Sequence, residues 1–316
     1  MASSRWEWAI AGCAVGWAVA RLAEADRFRR CEHVAVPLMA LTPQAAAGAA
    51  VAALTMRRRG PATVTWLAAA AIGAVVAGRA TPRPQPDAQG PVLRVLTINL
   101  LGGGAAGPDL VELVRRTGAD VLFVQELNEE AVSRLKRFGL NDLLPHQVLQ
   151  TEGFINRGSG IYARYPLAEG LPVAATEASQ PSARLDLPDE RSLQLVCVHP
   201  HPPAPPWRRD AVTRWRNELA VLPPPGDPLV ILAGDFNGTL DHAQFRRLLR
   251  LGHVDAASQV GNGLALTWGP EPAGQPALLT VDHVLVDPGC AVLTTSVHRL
   301  PGSDHQALYA KFRLPR

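Results

Sequence analysis

Residues 229–238 read LVILAGDFNG, a run of apolar residues followed at once by Asp235 and Asn237 between two glycines. A short apolar run rich in Val, Ile and Leu predicts a buried strand. The flanking glycines let the backbone turn sharply and approach a ligand closely. Asp235 and Asn237, two positions apart on extended backbone, project to the same side. The segment therefore predicts either an acid and an amide acting together at the end of a strand, or only a turn capped by Asx side chains.

Acid, amide or imidazole side chains end apolar runs at other places in the chain as well. They are Asn99 in VLTINL, Glu126 in VLFVQE, His199 in LQLVCVH, Asp282 in TVDHVLV, and Asp304 and His305 in GSDH. Polar groups at the ends of buried strands usually converge at one edge of a sheet, and such an edge can hold a metal ion and a phosphate. This ordered set is the strongest indication of function in the sequence.

Two of these positions carry a specific electrostatic requirement. Glu126 follows a buried strand, so it must pair with an Arg or bind a cation, because burial of a lone charge is very costly. An imidazole needs a partner on its second nitrogen to fix tautomer and orientation, and Asp282 is the expected partner of His305. Asp304 can then face a metal ion, and His199 can contact a phosphoryl oxygen.

Other residues near these segments have weaker claims to a functional role. We expect His201 and His283 to be structural or solvent-facing. The glycines at 102–104 lack the Lys-Ser/Thr of a P-loop and predict only a flexible turn. Core packing is the commoner role for the tryptophans of this half, with a substrate rim as the alternative: Trp207, Trp215 and Trp268.

The composition allows one large domain and an appendage, since the chain has 316 residues of which 47% are hydrophobic. Its net charge of +3 is unevenly distributed. Residues 1–90 carry ten Arg and five acidic residues, whereas the remaining 226 residues carry 21 basic and 23 acidic ones. A half this close to neutral lacks the electrostatic footprint of a protein that binds a long nucleic-acid track, although it can bind a small phosphate ester.

The N-terminal residues predict a membrane region. Segments 34–56 and 60–78 contain no Asp, Glu, Lys or Arg, and each is close to the ~20 residues that a helix needs to cross a bilayer. Segment 8–20 is shorter and gives a weaker signal. We expect three transmembrane helices, and the alternatives are a signal-peptide core for the first segment and soluble helices for the other two.

Three regions follow from this pattern. Residues 1–80 are the predicted transmembrane region, and residues 81–91 are a Pro-rich linker that would hold the next domain off the bilayer. Residues 92–316 are the predicted catalytic domain, in which short strands and helices alternate. Many strands with helices between them predict an α/β fold of two packed sheets with helices on their outer faces.

The orientation in the membrane is indicated by arginines. Residues 57–59, all Arg, lie in a short hairpin between the second and third predicted spans, which is a cytoplasmic anchor under the positive-inside rule. Arginines on the other side nearly balance the count: Arg21, Arg27, Arg29, Arg30, Arg79 and Arg83. We predict a multi-pass protein of the cell membrane with an extracytoplasmic catalytic domain, and leave the opposite orientation open.

The motifs of residues 92–316, taken in order, resemble the endonuclease/exonuclease/phosphatase (DNase I-like) superfamily. The resemblance rests on RVLTINL, VLFVQEL, GSGIYARYPL, LVCVH, LAGDFNGT, LTVDHVLV and GSDHQAL. It implies a four-layered α/β sandwich and cleavage of a phosphate ester or anhydride with Mg²⁺ or Mn²⁺ as the cofactor. No covalent enzyme intermediate is expected.

The resemblance also implies a role for each site residue. The metal ligands would be Glu126, the main one, with Asn99 and Asp304 beside it. Asp235 would orient or deprotonate the attacking water. The phosphoryl oxygens would accept hydrogen bonds from Asn237 and His199, while His305, oriented by Asp282, would stabilise the transition state or donate a proton.

One departure and one further likeness narrow the function. Many nucleases of this family have a second polar or acidic residue shortly after the position of Asn99, where this chain has Leu100, Leu101 and glycines. A second metal site and DNA cleavage are therefore disfavoured. The predicted anchor is similar to that of a bacterial subgroup that includes the teicoplanin-resistance membrane protein, whose outward-facing domain acts on a lipid-linked pyrophosphate of wall synthesis.

Together these features predict a membrane-anchored, metal-dependent phosphohydrolase that cleaves a phosphoester or pyrophosphate. In its sharpest form the substrate is a lipid-linked wall precursor, reached at the surface of the bilayer. One alternative is a membrane-tethered DNase I-like nuclease with a nucleic-acid partner. The other is a non-catalytic membrane protein that uses the fold only for binding.

Overall fold

The structure is a computed structural model, and it describes residues 3–151, 158–173, 179–204, 208, 210–269 and 276–316. Its first part is helical. The helices there are α1 (Ser3–Leu22), a short 3₁₀ turn (Ala25–Arg27), α2 (Glu32–Met39), α3 (Thr42–Thr55) and α4 (Arg59–Ala77). From residue 92 onward strands and helices alternate, as the sequence predicts.

The strands described after residue 91 number twelve. They are β1 (Val92–Asn99), β2 (Val121–Gln125), β3 (His146–Gln150), β4 (Ser159–Ala163), β5 (Leu167–Glu169), β6 (Ser182–Asp186), β7 (Ser192–Val198), β8 (Leu229–Asp235), β9 (Val254–Asp255), β10 (Asp282–Val286), β11 (Ala291–Arg299) and β12 (Gln306–Arg313). The helices between them are α5 (Pro108–Thr117), α6 (Glu129–Arg137), α7 (Leu140–Leu143), α8 (Ala211–Ala220), α9 (Ala243–Arg250) and α10 (Ala256–Gln259).

The described strands form two mixed sheets of six strands each, ordered β11-β12-β1-β2-β4-β3 and β5-β6-β7-β8-β10-β9. Each sheet has one parallel pair at its centre, β1 with β2 and β7 with β8. The carboxyl ends of these four strands therefore come together, and the site is built there. Close approach of β7 and β8 requires Gly234, where a Cβ atom would lie 2.0 Å from the Val198 carbonyl oxygen.

Alternate residues of the central strands face different layers. Val95 packs between the two sheets, whereas its neighbour Leu96 packs against α5 and α6. On the second sheet, Val196 and Val198 pack against Trp215 of α8 and Phe245 of α9. The order of layers is thus helix, sheet, sheet, helix, which agrees with the predicted sandwich.

The N-terminal helices differ from the three predicted spans. By length and composition, α4 is the one helix among the described residues that could cross a membrane alone, and it coincides with the predicted segment 60–78. Helix α1 covers segment 8–20 but does not qualify, because Trp side chains and the charges of Arg5 and Glu7 lower its hydropathy. The structure thus offers one candidate span, or two if a bent pair counts as one.

The bent pair is α2 and α3, which the sequence predicted as a single span over 34–56. The two helices meet at 75°. Pro43 lies in the first turn of α3, and the residue before a Pro is disfavoured inside a helix, so a helix that comes from α2 tends to end before this point. The catalytic region holds the break on both sides, because His242 Nε2 lies 2.9 Å from the Val36 carbonyl oxygen and Gln44 Nε2 donates to the Leu278 carbonyl at 2.7 Å.

The Pro-rich linker is fastened to the catalytic region rather than free. The backbone N–H of Arg83 donates to the Gln259 carbonyl at 3.0 Å, and Gln259 Nε2 returns a bond to the Pro84 carbonyl at 2.9 Å. Gln85 accepts the N–H of Val292 at 2.8 Å. The linker is thus bonded to the catalytic region, and its role in holding that region off the bilayer stays a prediction.

Candidate active site

The predicted site residues lie where strands end at the seam of the two sheets. Asn99 and Asp235 are the last residues of β1 and β8, and Asp282 is the first residue of β10. The others stand directly beside strands: Glu126 after β2, His199 after β7, Asn237 two residues after β8, and Asp304 and His305 before β12. The two sheets thus contribute to one cluster.

Asn99 joins the acids of the two sheets. Its Nδ2 donates to Glu126 Oε1 and to Asp235 Oδ2, both at 3.2 Å. Its Oδ1 accepts the N–H of Leu101 at 3.0 Å, which fixes the orientation of the amide. Two carboxylates that are 109 positions apart in the sequence therefore share one amide nitrogen. This is the convergence that the motif order predicts.

Glu126 is held in a strained and partly buried position. Its φ of 54° lies in the left-handed region, which non-glycine residues seldom adopt. Burial raises the pKa of Glu126, and the charge of Asp304 adds to this, against the bonds from Gly102 and Asn99. The N–H of Gly102 donates to Glu126 Oε2 at 2.7 Å. Neither bonding partner neutralises the carboxylate, so a cation would stabilise it.

The bond from Gly102 corrects the prediction of a merely flexible turn at 102–104. Leu101, Gly102 and Gly103 all have positive φ, which turns the chain so that one N–H points at Glu126. Asn128 Nδ2 and the Arg134 guanidinium hold the carbonyls of Gly102 and Gly103. The turn replaces a polar side chain with a backbone donor.

Asp282 and His305 form the predicted pair. His305 Nδ1 lies 2.9 Å from Asp282 Oδ2, and both side chains are buried. Burial opposes protonation of the ring, but the carboxylates of Asp282 and Asp235, with Asp304 behind them, outweigh it and raise the pKa of His305 to about 10. At neutral pH the ring is therefore a cation that can stabilise negative charge or donate a proton from Nε2.

Asp235 lies at the centre of the cluster. Its Oδ2 is 3.7 Å from His305 Nε2 and 4.0 Å from His199 Nε2, and its Oδ1 accepts the N–H of Asn237 at 2.8 Å. Burial raises the pKa of Asp235, and the nearby Asp282 charge raises it further, against the effect of His305 and His199. A carboxylate with a raised pKa is a better proton acceptor than an exposed one.

His199 and Asn237 stand on the open side of the cluster. Burial lowers the pKa of His199, although Asp235 acts in the opposite direction, so the ring is neutral at pH 7. Asn237 has a φ of 47° and uses Nδ2 to hold the Pro200 carbonyl at 3.0 Å. Its second amide hydrogen can donate to a ligand. Both residues thus present neutral groups where the anion of a substrate would sit.

The residues present fit a divalent cation. Four carboxylates, of Glu126, Asp235, Asp282 and Asp304, surround one cationic ring, so negative charge is in excess. Oδ1 of Asp304 is buried and has no hydrogen-bond partner among the described residues. Its other oxygen accepts the indole N–H of Trp268 at 2.8 Å, which aims the carboxylate. Hard cations such as Mg²⁺ take carboxylate and amide oxygens of this kind.

A second grouping of ligand atoms overlaps the first. Asp235, Asp282 and His305 place one ligand atom each within 4.8 Å of the others. Nδ1 of His305 is already bonded to Asp282, so that only Nε2 of this ring is left to face a metal ion. Glu126 and Asp304 stay the predicted ligands of a cation, whereas Asn99 presents its amide nitrogen to Glu126 and uses its oxygen to accept the N–H of Leu101.

The residues with weaker claims have structural roles where the structure describes them. His283 is buried between Asp255 and the Gly238 carbonyl, at 3.0 Å from each. Trp215 of α8 is fully buried in the core between this helix and the second sheet. Trp207 lies outside the described residues.

Two residues show uses that the sequence did not specify. His201 is paired with Glu218 of α8 at 2.7 Å, which fixes the chain just after His199. Trp268 lines the site and orients Asp304, so for this Trp the rim alternative applies.

A cleft of about 260 Å³ opens beside the cluster. Asn237 and His305 line one end of it. The rest of its wall is largely apolar and includes Pro37 and Ala40, which come from the break between α2 and α3, and Leu279. Nothing in the sequence indicated that the N-terminal helices contribute to the site, because the contact joins residues more than 160 positions apart.

Comparisons with known proteins agree with this description. The model of the Endonuclease/Exonuclease/phosphatase family matches residues 96–305. No curated protein sequence matches the chain at a significant level. The resemblance to the teicoplanin-resistance membrane protein is therefore still a prediction.

Solved structures with the same fold have low sequence identity. A humanized D. rerio TDP2 with 14 mutations is 20% identical, covers 70% of this chain and 99% of its own, and has a TM-score of 0.54. The 3′ phosphatase NExo from Neisseria, bound to a product DNA hairpin, is 19% identical with a TM-score of 0.50, over 69% of this chain and 98% of its own. An AP endonuclease from Archaeoglobus fulgidus is 14% identical with a TM-score of 0.51, over 69% and 98%. At these identities the likeness shows the fold.

Proposed function

This chain belongs to the endonuclease/exonuclease/phosphatase family, and we propose that it is a membrane-anchored, Mg²⁺- or Mn²⁺-dependent phosphohydrolase that cleaves a phosphoester or pyrophosphate of a lipid-linked substrate. The observation that carries the proposal is the convergence of Glu126, Asp235 and the His305–Asp282 pair around Asn99. Family members and structural neighbours hydrolyse phosphoester bonds, which supports the reaction class.

The residues divide the work of a direct displacement by water. Glu126 and Asp304, with Asn99 once its amide oxygen is turned towards them, would hold a divalent cation that would supply Lewis-acid activation of the phosphoryl group. Asp235 accepts a proton from the attacking water or holds it in line. The cationic His305 stabilises the charge that develops on the phosphoryl oxygens or protonates the leaving oxygen through Nε2.

The substrate is anchored and aligned by neutral donors. Asn237 and His199 donate to the phosphoryl oxygens without adding charge of their own. Asp282 keeps Nδ1 of His305 protonated, so that Nε2 faces the reaction. No covalent intermediate is needed in this scheme, because the site holds both a proton acceptor, Asp235, and a proton donor, His305.

The cleft favours a substrate with an apolar part next to the phosphate. Its exposed lining is mainly apolar, although Thr239 and His242 also line it, and part of it comes from the N-terminal helices. A hydrocarbon chain attached to the phosphate gains free energy on leaving water, by roughly 0.8 kcal/mol for each buried CH₂ group. A nucleotide would place sugar hydroxyls and a base against the same mainly apolar walls, which offer few hydrogen-bond partners.

Membrane anchoring is supported by the surface of α4 and its neighbours. Only 28% of the most apolar window of α4 is buried, whereas the core helix of a soluble protein is mostly buried. The helices also have two distinct ends. The N–H of Arg57 bonds Glu7 at one end, and Arg21 and Arg79 bond the catalytic region at the other. The arginines at 57–59 thus lie away from the catalytic region, which supports an extracytoplasmic catalytic domain at the cell membrane.

The reaction can be tested with the full-length chain in detergent. We expect release of phosphate from a polyprenyl pyrophosphate with Mg²⁺, loss of release on addition of EDTA, and recovery on addition of excess Mg²⁺. Asp235→Ala should lower kcat by about 10³-fold or more, because it removes the proton acceptor. Asp189→Ala, an exposed acid on a turn, is the matched control and should leave kcat unchanged.

Other results would reject parts of the proposal. Nicking of plasmid DNA that is lost in His305→Ala, with no release from any lipid phosphate, would assign the site to a nuclease. No hydrolysis of any phosphate compound, together with no Mg²⁺ binding by calorimetry, would leave a non-catalytic binding protein. Accessibility of a cysteine introduced after residue 78 to a membrane-impermeant reagent tests the side of the membrane.

A further inference from the structure

A second cavity, of about 270 Å³, lies between the end of α4, the linker and α9. It shares no lining residue with the cleft at the catalytic cluster. Its polar lining comes from four parts of the chain: Arg21; Arg79 and Arg83; Arg246; and His253, Asp255 and Ser258. Four guanidinium groups therefore line this space, and their hydrogen-bond partners decide whether it can accept an anion.

Two of the arginines are held by one buried acid. Arg79 binds Asp241 through two nitrogens, at 2.5 and 2.8 Å, and Arg21 binds the same carboxylate through Nε at 2.5 Å. One negative charge thus faces two positive ones. The terminal amino groups of Arg21 are not used in this contact and remain available as donors.

The remaining lining groups also offer donors. Arg246 reaches Glu24 through Nε and the Asp241 carbonyl through Nη1, but its Nη2 is buried without a hydrogen-bond partner among the described residues. Ser258 is 4% exposed, and its Oγ likewise has no partner in the part of the chain that the structure describes. The exposed Arg83 brings a further guanidinium to the rim.

The acceptors in the cavity are already engaged. Asp255 accepts the N–H of Ser258 at 2.7 Å with one oxygen and faces His283 Nδ1 at 3.0 Å with the other. His253 also lines the cavity, and its Nε2 bonds the Pro223 carbonyl at 2.8 Å. Burial lowers the pKa of His253, so the ring is neutral, with Nδ1 free to accept from a protonated oxygen or a water. The free capacity of the cavity is therefore mainly that of cationic donors.

We propose that this cavity binds a phosphate group, either as free inorganic phosphate or as the headgroup of an anionic lipid. Arginine forks match the oxygens of a phosphate, and charge-assisted bonds of this kind are the strong ones. Val75 of α4 lines the cavity, so an α4 that crosses the bilayer would open it at the level of lipid headgroups. Occupancy would neutralise the excess positive charge between the N-terminal helices and the catalytic region and so stabilise their contact.

The test uses the full-length chain in detergent, freed of lipid phosphate and kept in EDTA. Inorganic phosphate at millimolar concentration should raise Tm by about 2 °C or more over chloride at equal ionic strength. The double variant Arg83→Gln with Ser258→Ala should weaken binding at least about tenfold, because it removes one charged and one neutral donor. Arg137→Gln, an exposed Arg of α6, is the matched control and should bind as the wild type does.

One further variant and three possible results decide whether the proposal holds. His305→Ala removes phosphate binding at the catalytic cluster, and the Tm shift should persist in it. A shift that persists in the double variant but is lost in His305→Ala would overturn the proposal and place all phosphate binding at the catalytic cluster. No shift in any form of the chain would overturn it as well, since the cavity would then hold only water.

The source of the phosphate is decided with vesicles in phosphate-free buffer. If the ligand is a lipid headgroup, vesicles of phosphatidylglycerol should stabilise the wild type more than the double variant, and phosphatidylcholine should not. If the ligand is free phosphate, both lipids should act alike on the two proteins while added phosphate still separates them. These readouts are of binding, so they stand whether or not the chain hydrolyses a lipid-linked substrate.

Discussion

The N-terminal helices and the catalytic region are packed in opposite ways. The helices meet through small side chains, mainly Ala14, Ala18, Ala46, Ala49, Ala68 and Ala69, with Ile72. Their large apolar residues point outward, and Val19, Leu54 and Leu67 are 59%, 71% and 67% exposed. In the catalytic region the large residues are inside: Phe123, Phe236 and Trp215 are fully buried.

This difference is the one expected if the two regions face different solvents, as the proposed membrane anchor requires. In water, burial of large apolar side chains stabilises a domain, and that is how the two sheets are packed. In lipid there is no such gain, and helices associate through small residues that allow close approach. An outward face of Leu, Val and Trp would be a liability in water. The comparison supports the proposed membrane anchor more strongly than the number of candidate spans does.

The largest expected effect concerns Asp241, where the two regions are joined. Its carboxylate is fully buried and binds Arg21 and Arg79. Asp241→Asn should lower the free energy of unfolding by about 3–5 kcal/mol, because two buried guanidinium groups lose their counter-charge. Thermal unfolding of the purified chain measures this. Asp189→Asn is the exposed control, and an equal loss there would show that the junction contributes nothing special.

The same residue makes stability depend on pH in a defined direction. Burial tends to raise the pKa of Asp241, but Arg79 and Arg21 outweigh it and hold the pKa below its usual value. Its contribution is therefore complete above the usual carboxyl range and is lost as pH falls through the lowered value. The wild type should lose stability more steeply than Asp241→Asn over this fall in pH.

The next effect separates the two solvents directly. Leu67 of α4 and Leu171 of the catalytic region are 67% and 69% exposed. Leu67→Lys should cost about 2.5–3.5 kcal/mol in membrane insertion, whereas Leu171→Lys should change stability by no more than about 0.5 kcal/mol. The fraction of each variant that resists carbonate extraction measures the difference. Equal behaviour would show that α4 faces water and would end the comparison.

The smallest effect tests whether the anchor shapes the active site. Ala40 lines the cleft beside His305, and Ala47 of α3 is exposed on the other part of the bent pair. Ala40→Trp should lower kcat/KM for a polyprenyl pyrophosphate about tenfold by filling the cleft, with little change for a small soluble phosphate ester. Ala47→Trp should change neither. An equal loss on both substrates would mean that the substitution disturbs the catalytic cluster instead.

Much of the fold could be predicted from the sequence because local patterns specify it. The helical spacing of Leu110, Val111 and Val114 in the sequence predicts a helix over 108–117, and α5 has the same bounds. Strand β3 was missed because HQVLQ at 146–150 is half polar and lies at a sheet edge. The strand predicted over 171–176 is not formed at Leu171–Val173, and 174–176 lie outside the described residues.

Helix boundaries were predicted less well where a side chain has a distant partner. The sequence predicts a helix over 207–222 after a Pro cluster, and the structure has α8 at Ala211–Ala220, with Trp207 outside the described residues. It also predicts a helix over 241–251 with Thr239 or Asp241 as its cap, but α9 begins at Ala243, because Asp241 is engaged with arginines 162 and 220 positions away and does not cap it. The break between α2 and α3 had a local signal in Pro43 that hydropathy alone conceals.

The membership of the site could be predicted and its supports could not. Strand ends bring Asn99, Glu126 and Asp235 together, so the motif order was sufficient for them. The donor to Glu126 is a backbone N–H at Gly102, and no side-chain pattern announces a backbone donor. Core packing is the commoner role for a Trp at position 268, but its indole N–H donates to the carboxylate of Asp304. The roles of these residues in catalysis remain predictions.

The fastening of the catalytic region to the helices bears on how this enzyme should be prepared. A shortened chain starting at residue 92 would dissolve more readily, but Asp241 would be left without either guanidinium and the cleft without its Pro37 and Ala40 side. We expect such a fragment to hydrolyse small phosphate esters and to lose activity on the proposed lipid-linked substrate. Screening it would then misreport the specificity of the intact protein.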